Sequence, residues 1–331
     1  MRGVVGNRHA QSLLERAILS GQISHAYLLT GPEGIGKTTL ALAFASALLC
    51  QRRLPDSAGA CGECQACRKI AHGSHPDVQI IAPEKDKRTI GIDIIREMTR
   101  LANLSPSEGQ WRIFILPQAE QLLIPAANAL LKTLEEPPPG VILLLTCAEP
   151  EALLSTIISR CQLIPMQPIP PAEVEQALEQ HWQVAPAEAR TLATLANGRL
   201  GWAVEAHEHP QRLEHRAELL KTLAGLTTAT RDERLKRATA LASDTETARQ
   251  TLDAWLLWWR DVTLAANGAS ALATTGEIRA QAERQGRAIG PARAQAFLQA
   301  LLDAQVALDQ QGNPRLTLEN VLLELPALHS S

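Results

Sequence analysis

Aromatic residues are scarce in this chain. They make up 3% of it, with a single tyrosine and three phenylalanines, so the cores must be built from Leu, Ala, Ile and Val, a composition that favours helix. Charge of one sign is also missing. The 32 Lys and Arg nearly balance the 35 Asp and Glu, leaving a formal net charge of −3. That excludes an overall pull toward nucleic acid or an anionic membrane and leaves any such contact local or to partner proteins. Long hydrophobic runs are absent too: the longest nearly apolar stretch, residues 40–50, is eleven residues, well short of the ~20 that cross a bilayer. The opening residues lack the apolar centre of a secretory signal. The expectation is a cytoplasmic protein without membrane contact, and 331 residues suggest two or three domains at roughly 150 residues each.

What is present starts with residues 31–38, Gly-Pro-Glu-Gly-Ile-Gly-Lys-Thr. They fit the GxxxxGK[ST] pattern, in which a Gly-rich turn aims backbone N–H groups at phosphate oxygens, a Lys reaches the terminal phosphates and a hydroxyl holds Mg²⁺. Gly31, Gly34 and Gly36 would form the turn, Lys37 and Thr38 would supply the side chains, and Thr39 would follow in the first helical turn. An apolar run enters the loop and a helix-forming run, residues 39–49, leaves it. Strand, loop and helix come in the order the motif needs, with the positive end of the helix where a polyphosphate would sit.

Further along, residues 13–19 have helical spacing and Gly21 stops them. Residues 24–30, 78–82, 111–116, 141–147 and 161–164 read as strands. Residues 83–88 read as a charged loop, and residues 91–101 and 119–134 as helices. Strands apolar on both faces that alternate with helices argue a parallel α/β sheet. Residues 166–171 carry three prolines and read as a linker. Beyond them no strand pattern remains: 171–206 reads as a small helical unit and 211–328 as longer amphipathic helices.

Four of the six cysteines are clustered: Cys61, Cys64 and Cys67 form a CxxCxxC run, with Cys50 eleven residues upstream. Disulfides do not persist in a reducing compartment, and four thiolates match a closed, structural zinc site. His72 and His75 are near enough to compete, but four Cys complete the shell. Cys147 and Cys161 lie in apolar strands, where a free Cys is usually a small buried hydrophobe.

A P-loop ATPase also needs a strand ending in an Asp for Mg²⁺ and an acid to position water. The candidate strand ends Leu116-Pro117-Gln118-Ala119-Glu120. No carboxylate follows it directly, and Glu120 is the nearest acid. Glu135 and Glu136 are adjacent on a helix, so their side chains diverge by about 100° and do not share a site. Trp255, Trp258 and Trp259 occupy one helical face, which suits core or subunit packing.

The run Asn128-Ala-Leu-Leu-Lys-Thr-Leu-Glu-Glu-Pro-Pro138, the triplet Ser159-Arg160-Cys161, the four-cysteine set and His75-Pro76-Asp77 together resemble the bacterial clamp-loader branch of the AAA+ ATPases. The resemblance covers residues 1–205 well and the later helices by class. It implies α/β followed by all-α: an AAA+ P-loop domain over 1–165 with a zinc module at 50–67, a helical lid over 166–207 and a helical collar over 208–331. It places the family's catalytic acid pair on Pro117 and Gln118, its polar sensor on Thr146, and its lid arginine on Gly201, two positions from Arg199. It also implies that Arg160 projects into the ATP site of an adjacent subunit. The implied protein is a subunit of the DNA polymerase III clamp loader that binds ATP or ADP with Mg²⁺ at most weakly and does not hydrolyse it efficiently. Its partners would be ATPase subunits, a clamp-opening subunit, the sliding clamp and primed DNA. Two alternatives stay open: a hydrolysing motor-type subunit using Glu120, and a free-standing zinc and nucleotide-binding regulator.

Overall fold

Three buried runs of five to seven mostly apolar residues, each followed by a turn signal, form the centre of one sheet in this computed structural model. It describes residues 1, 3–54, 56–83, 89–148, 150–270, 277–309 and 312–327, and the chain divides into two units, residues 1–205 and 206–331. In the first unit the order is α1 (Arg8–Ser20), β1 (Ala26–Thr30), α2 (Lys37–Leu49), α3 (Gln65–Ala71), β2 (Val78–Ile80), α4 (Ile92–Ala102) and β3 (Arg112–Leu116). Then follow α5 (Ile124–Glu135), β4 (Val141–Cys147), α6 (Ser155–Ile158), β5 (Gln162–Pro165), α7 (Pro171–Trp182), α8 (Pro186–Ala196) and α9 (Leu200–Glu208). The sheet order is β2-β3-β4-β1-β5 with every pair parallel.

Alternate residues of each central strand feed two separate cores, which is why β1, β3 and β4 are buried at every position. Leu28, Phe114, Leu116, Leu143 and Leu145 pack with Ile95, Met98, Ala126 and Leu130 of α4 and α5. Tyr27, Leu29, Ile113, Ile115 and Leu144 pack with Leu14, Leu40 and Phe44 of α1 and α2. Register pairs Leu29 with Thr146 and Thr30 with Cys147, so β1 and β4 end together at one edge of the sheet.

The expected helix over 119–134 is interrupted. Ala119–Gln121 form one 3₁₀ turn, Leu122 and Leu123 are extended, and α5 begins at Ile124 with a proline in its first turn, where the missing N–H costs nothing. Tertiary pairing overrides the helical pattern: Ile90 N–H donates to Gln121 O at 2.9 Å and Leu123 N–H to Ile90 O at 3.2 Å. The α2 helix begins two residues earlier than its pattern, at Lys37. Residues 84–88 of the expected loop lie outside the described residues.

The His75-Pro76-Asp77 segment is structural. Asp77 is fully buried and its carboxylate accepts from the N–H groups of Ser107 (2.6 Å), Glu108 (2.7 Å) and Gly109 (3.1 Å), with the Arg112 guanidinium at 3.5 Å. Arg112 in turn donates to Leu101 O and Ser105 O. His75, also buried, accepts from Asp77 N–H at Nδ1. One carboxylate thus organises the turn that delivers the chain into β3.

The second unit contains, among the described residues, α10 (Gln211–Leu226), α11 (Arg231–Leu241), α12 (Thr245–Ala266), α13 (Glu277–Ile289), α14 (Pro291–Asp309) and α15 (Pro314–Glu324). Trp255, Trp258 and Trp259 of α12 are buried in its core. Each indole N–H has a partner: Leu219 O at 3.0 Å, Gln285 Oε1 at 3.1 Å and Ala294 O at 3.0 Å respectively. The three rings are packing residues of this unit. Buried Arg234 closes two helix ends, donating to Leu226 O, Leu322 O and Leu325 O, where a cation also meets the negative ends of the helix dipoles. Among the described residues no helix is long and apolar enough to cross a membrane.

Burial raises the Asp77 carboxyl, but the three N–H donors and Arg112 outweigh it and hold the group below its usual range. A depressed folded value means stability that is present above the unfolded value, about 4, and lost as pH falls through the folded value. Replacing Asp77 with Asn is expected to cost about 3 kcal/mol in urea denaturation at neutral pH. The difference between the two proteins should shrink as the pH is taken down toward 3.

Candidate functional site

The loop after β1 is held by backbone contacts from three sides. Gly31, Gly34 and Gly36 all have positive φ, at 141°, 75° and 101°, conformations that side chains rarely tolerate. A Cβ on Gly31 would lie 2.4 Å from Met166 O, and one on Gly34 3.0 Å from Trp202, whereas nothing stands within 4 Å of a Cβ on Gly36. Gly31 N–H donates to Cys147 O at 3.2 Å, joining the loop to the end of β4. The Lys37 ammonium donates to Gly31 O at 2.5 Å and Pro32 O at 3.0 Å. Burial pushes its pKa down, while the nearby charges of Glu120 and Glu33 oppose the shift. Left-handed glycines, a lysine over the loop and the N-terminus of α2, with Thr38 in its first turn, fit a phosphate group. Thr39 lies on the exposed side of that turn.

Around this cradle, the positions that would carry catalytic acids do something else. Gln118 adopts the left-handed region at φ 52°, and its N–H donates to Thr146 Oγ1 at 3.1 Å, joining the ends of β3 and β4. Its side-chain amide donates to Glu33 Oε1 at 3.1 Å and accepts from Gln121 at 2.8 Å. Pro117 offers no side-chain ligand. Glu120 accepts from Ala148 N–H at 3.0 Å through Oε1, and its Oε2 is buried without a hydrogen-bond partner. The end of β3 therefore braces the loop through an amide where a hydrolase would present carboxylates.

Two contributors were not legible in the sequence. Glu33 lies inside the glycine loop and carried no motif signal of its own. Gly201 stands where the resemblance places a lid arginine, yet a Cβ there would lie 2.8 Å from Gly34 O, and Trp202 N–H donates to that same carbonyl at 3.2 Å. The start of α9 thus sits directly on the phosphate loop. Arg199, in the turn between α8 and α9, donates to Ala196 O at the end of α8 and lies 5.7 Å from the Trp202 ring.

The cysteine cluster forms as spaced. Cys50 caps the end of α2, Cys61 precedes α3, and Cys64 and Cys67 open it. The four sulfurs lie within 4.8 Å of one another, with Cys50–Cys64 and Cys61–Cys67 each at 4.0 Å. A tetrahedron of ~2.3 Å metal–sulfur bonds has edges of about 3.8 Å, so the donor set fits a metal ion. N–H groups of Cys61, Glu63 and Cys64 point at these sulfurs, the outer contacts that steady a thiolate site. His72 and His75 stand outside the four-sulfur group. Cys147 is fully buried, and burial pushes the Cys161 thiol up to about 12, which makes both poor nucleophiles.

Arg160 follows α6. Its guanidinium pairs with Glu135 Oε1 at 2.8 Å and donates to Thr156 O at 2.9 Å and Ser159 Oγ at 3.4 Å. The side chain is 35% exposed. Its partners lie on α5 and at α6.

Residues 6–170 match the family model described as DNA polymerase III, delta subunit. The DNA polymerase III subunit delta' of Pseudomonas aeruginosa is 47% identical over 140 residues, covering 42% of each chain. That of Bacillus subtilis is 36% identical over 209 residues, covering 63% of this chain and 61% of the relative. The tau subunit of Bacillus subtilis is 42% identical over 159 residues, covering 48% of this chain and 27% of the relative. The chain spans about half the length of the curated delta-prime relatives it matches. With the parallel sheet, the phosphate loop and the cysteine cluster in place, this similarity makes the chain a member of the DNA polymerase III delta-prime family.

Proposed function

We propose that this chain serves in a sliding-clamp loader as a subunit that does not turn over nucleotide efficiently and donates Arg160 to the ATP site of a neighbouring subunit. The observation that carries the reading is the phosphate loop kept whole beside Pro117 and Gln118, with Gln118 bonded to Glu33. In this reading the loop amides, Lys37 and Thr38 hold ATP or ADP, with Thr38 and Thr39 at the helix start and Thr146 bordering the site. Mg²⁺ would be held by Thr38 and the phosphates, and no carboxylate of β3 is placed to activate water. Glu120 is a weak substitute, since one of its oxygens is taken by Ala148 N–H. Residues 1–165 would face nucleotide, 166–207 would form the lid and 208–331 the collar through which subunits assemble. The partners would be the ATPase subunits and the clamp-opening subunit in the cytoplasm, with the sliding clamp and primed DNA engaged by the whole complex.

An arginine supplied across a subunit boundary neutralises charge on the transferring phosphate. Zinc at Cys50, Cys61, Cys64 and Cys67 would cross-link the end of α2 to α3 and has no open position for chemistry.

Nucleotide turnover by the purified chain should be negligible beside that of the reconstituted loader, and Lys37→Ala should abolish whatever binding calorimetry detects. Brisk Mg²⁺-dependent hydrolysis by the chain alone would remove the reading. Arg160→Ala should slow hydrolysis at the one neighbouring site it serves by on the order of 10³-fold, read by single-turnover assay in the complex. Elemental analysis should find one zinc per chain. Cys64→Ser should lose the metal and melt at lower temperature, as should the unaltered chain after chelation.

A further inference from the structure

We infer that Glu135 is the positioning residue for Arg160, aiming its guanidinium at the neighbouring phosphate site; this rests on the donor role proposed above. The two residues lie 25 positions apart in sequence, yet Nη2 of Arg160 meets Glu135 Oε1 at 2.8 Å. A second arm of the same guanidinium is tied to Thr156 O at 2.9 Å. An arginine side chain is long and rotamer-rich, and a charge that must meet a phosphate is useful only when held close to its productive position. The ion pair with Glu135 and the hydrogen bonds to Thr156 O and Ser159 Oγ hold this guanidinium from two different elements and leave N–H donors of the fork for an outside anion.

Both anchors are themselves fixed. Glu135 is in the last turn of α5, between buried Leu134 and Glu136, whose N–H donates to Lys132 O at 3.1 Å. Thr133, also buried, bonds to Thr99 of α4, and Pro137 follows at once, so the helix end has little freedom. On the other side, Arg160 N–H donates to Ile157 O and Cys161 N–H to Ile158 O, each at 3.1 Å. Buried Ile157 sets α6 against the same core that α5 packs into. The pair itself is half exposed, at 35% and 51% for the two side chains. An ion pair in such a place adds little to stability, so holding the fold together does not account for it.

The side chain at 135 would act through orientation and charge, not by touching the substrate. In the reconstituted complex, Glu135→Ala is expected to lower kcat at the site served by Arg160 by about tenfold or more, with KM for ATP and the melting temperature unchanged. Glu135→Gln, which keeps the acceptor, should recover part of the loss. The double variant Glu135→Ala with Arg160→Ala should be no slower than Arg160→Ala alone, because the two act as one unit. Loss of activity in Arg160→Ala with full activity in Glu135→Ala overturns this inference and spares the donor role. Faster hydrolysis in Glu135→Ala overturns it too, since the carboxylate would then be holding the arginine back. Unchanged hydrolysis in Arg160→Ala removes the donor role and this inference together.

Discussion

Close backbone approach around one glycine loop is the constraint on which the first unit depends. The Met166 carbonyl fills the space a side chain on Gly31 would need, and Gly201 and Trp202 fill the space beside Gly34. These contacts need glycine on both sides: Gly201 has no room for a Cβ against Gly34 O. They tie the end of β1, the extension of β5 and the start of α9 to one turn. Because each is a contact between main chains, conservative side-chain changes elsewhere do not loosen it, whereas a single methyl at 31 or 201 would force the elements apart.

That constraint also explains how a phosphate cradle can keep its shape without catalytic acids. The loop is joined to β4 by Gly31 N–H, to the end of β3 through Glu33 and Gln118, and to α9 through Gly34 O. The Thr146 hydroxyl, which borders the loop, is bonded to the Gln118 backbone. Apart from the buried Oε2 of Glu120, polar groups at this end of the sheet are therefore satisfied by the protein itself. In the proposed reading, chemistry moves from this edge to the outer surface, where Arg160 stands beside Glu135.

Elsewhere, buried charge substitutes for aromatic bulk as an organiser. Asp77 gathers three consecutive N–H groups ahead of β3, and Arg234 gathers carbonyls from the ends of α10 and α15. Each is a charged group whose hydrogen bonds are made mainly to main chain, with Arg112 beside Asp77 as well, the arrangement in which a buried ion is tolerated. A chain with few aromatic residues thus specifies loop and helix-end geometry through two polar hubs, and gathers three of its six tryptophans in one dense core around α12.

Elements whose physics is local were readable from the residues in order. The glycine loop, the apolar runs of β1, β3 and β4, the four-cysteine spacing and the lack of a carboxylate directly after Leu116 all depend on neighbours a few positions apart. Sequence alone also narrowed the Trp255, Trp258 and Trp259 face to packing, but not to which surface it packs against. The break at Leu122 and Leu123 was not readable, because helical periodicity continues through it and a strand-like bond to Ile90 decides otherwise. Nor were the Asp77 hub, the Gly201 contact or the Glu135–Arg160 pair, since each joins segments far apart in the chain. Residue type and spacing determined what each segment could become; only the folded arrangement decided which polar atom would meet which, because a hydrogen bond is set by distances that chain order does not contain.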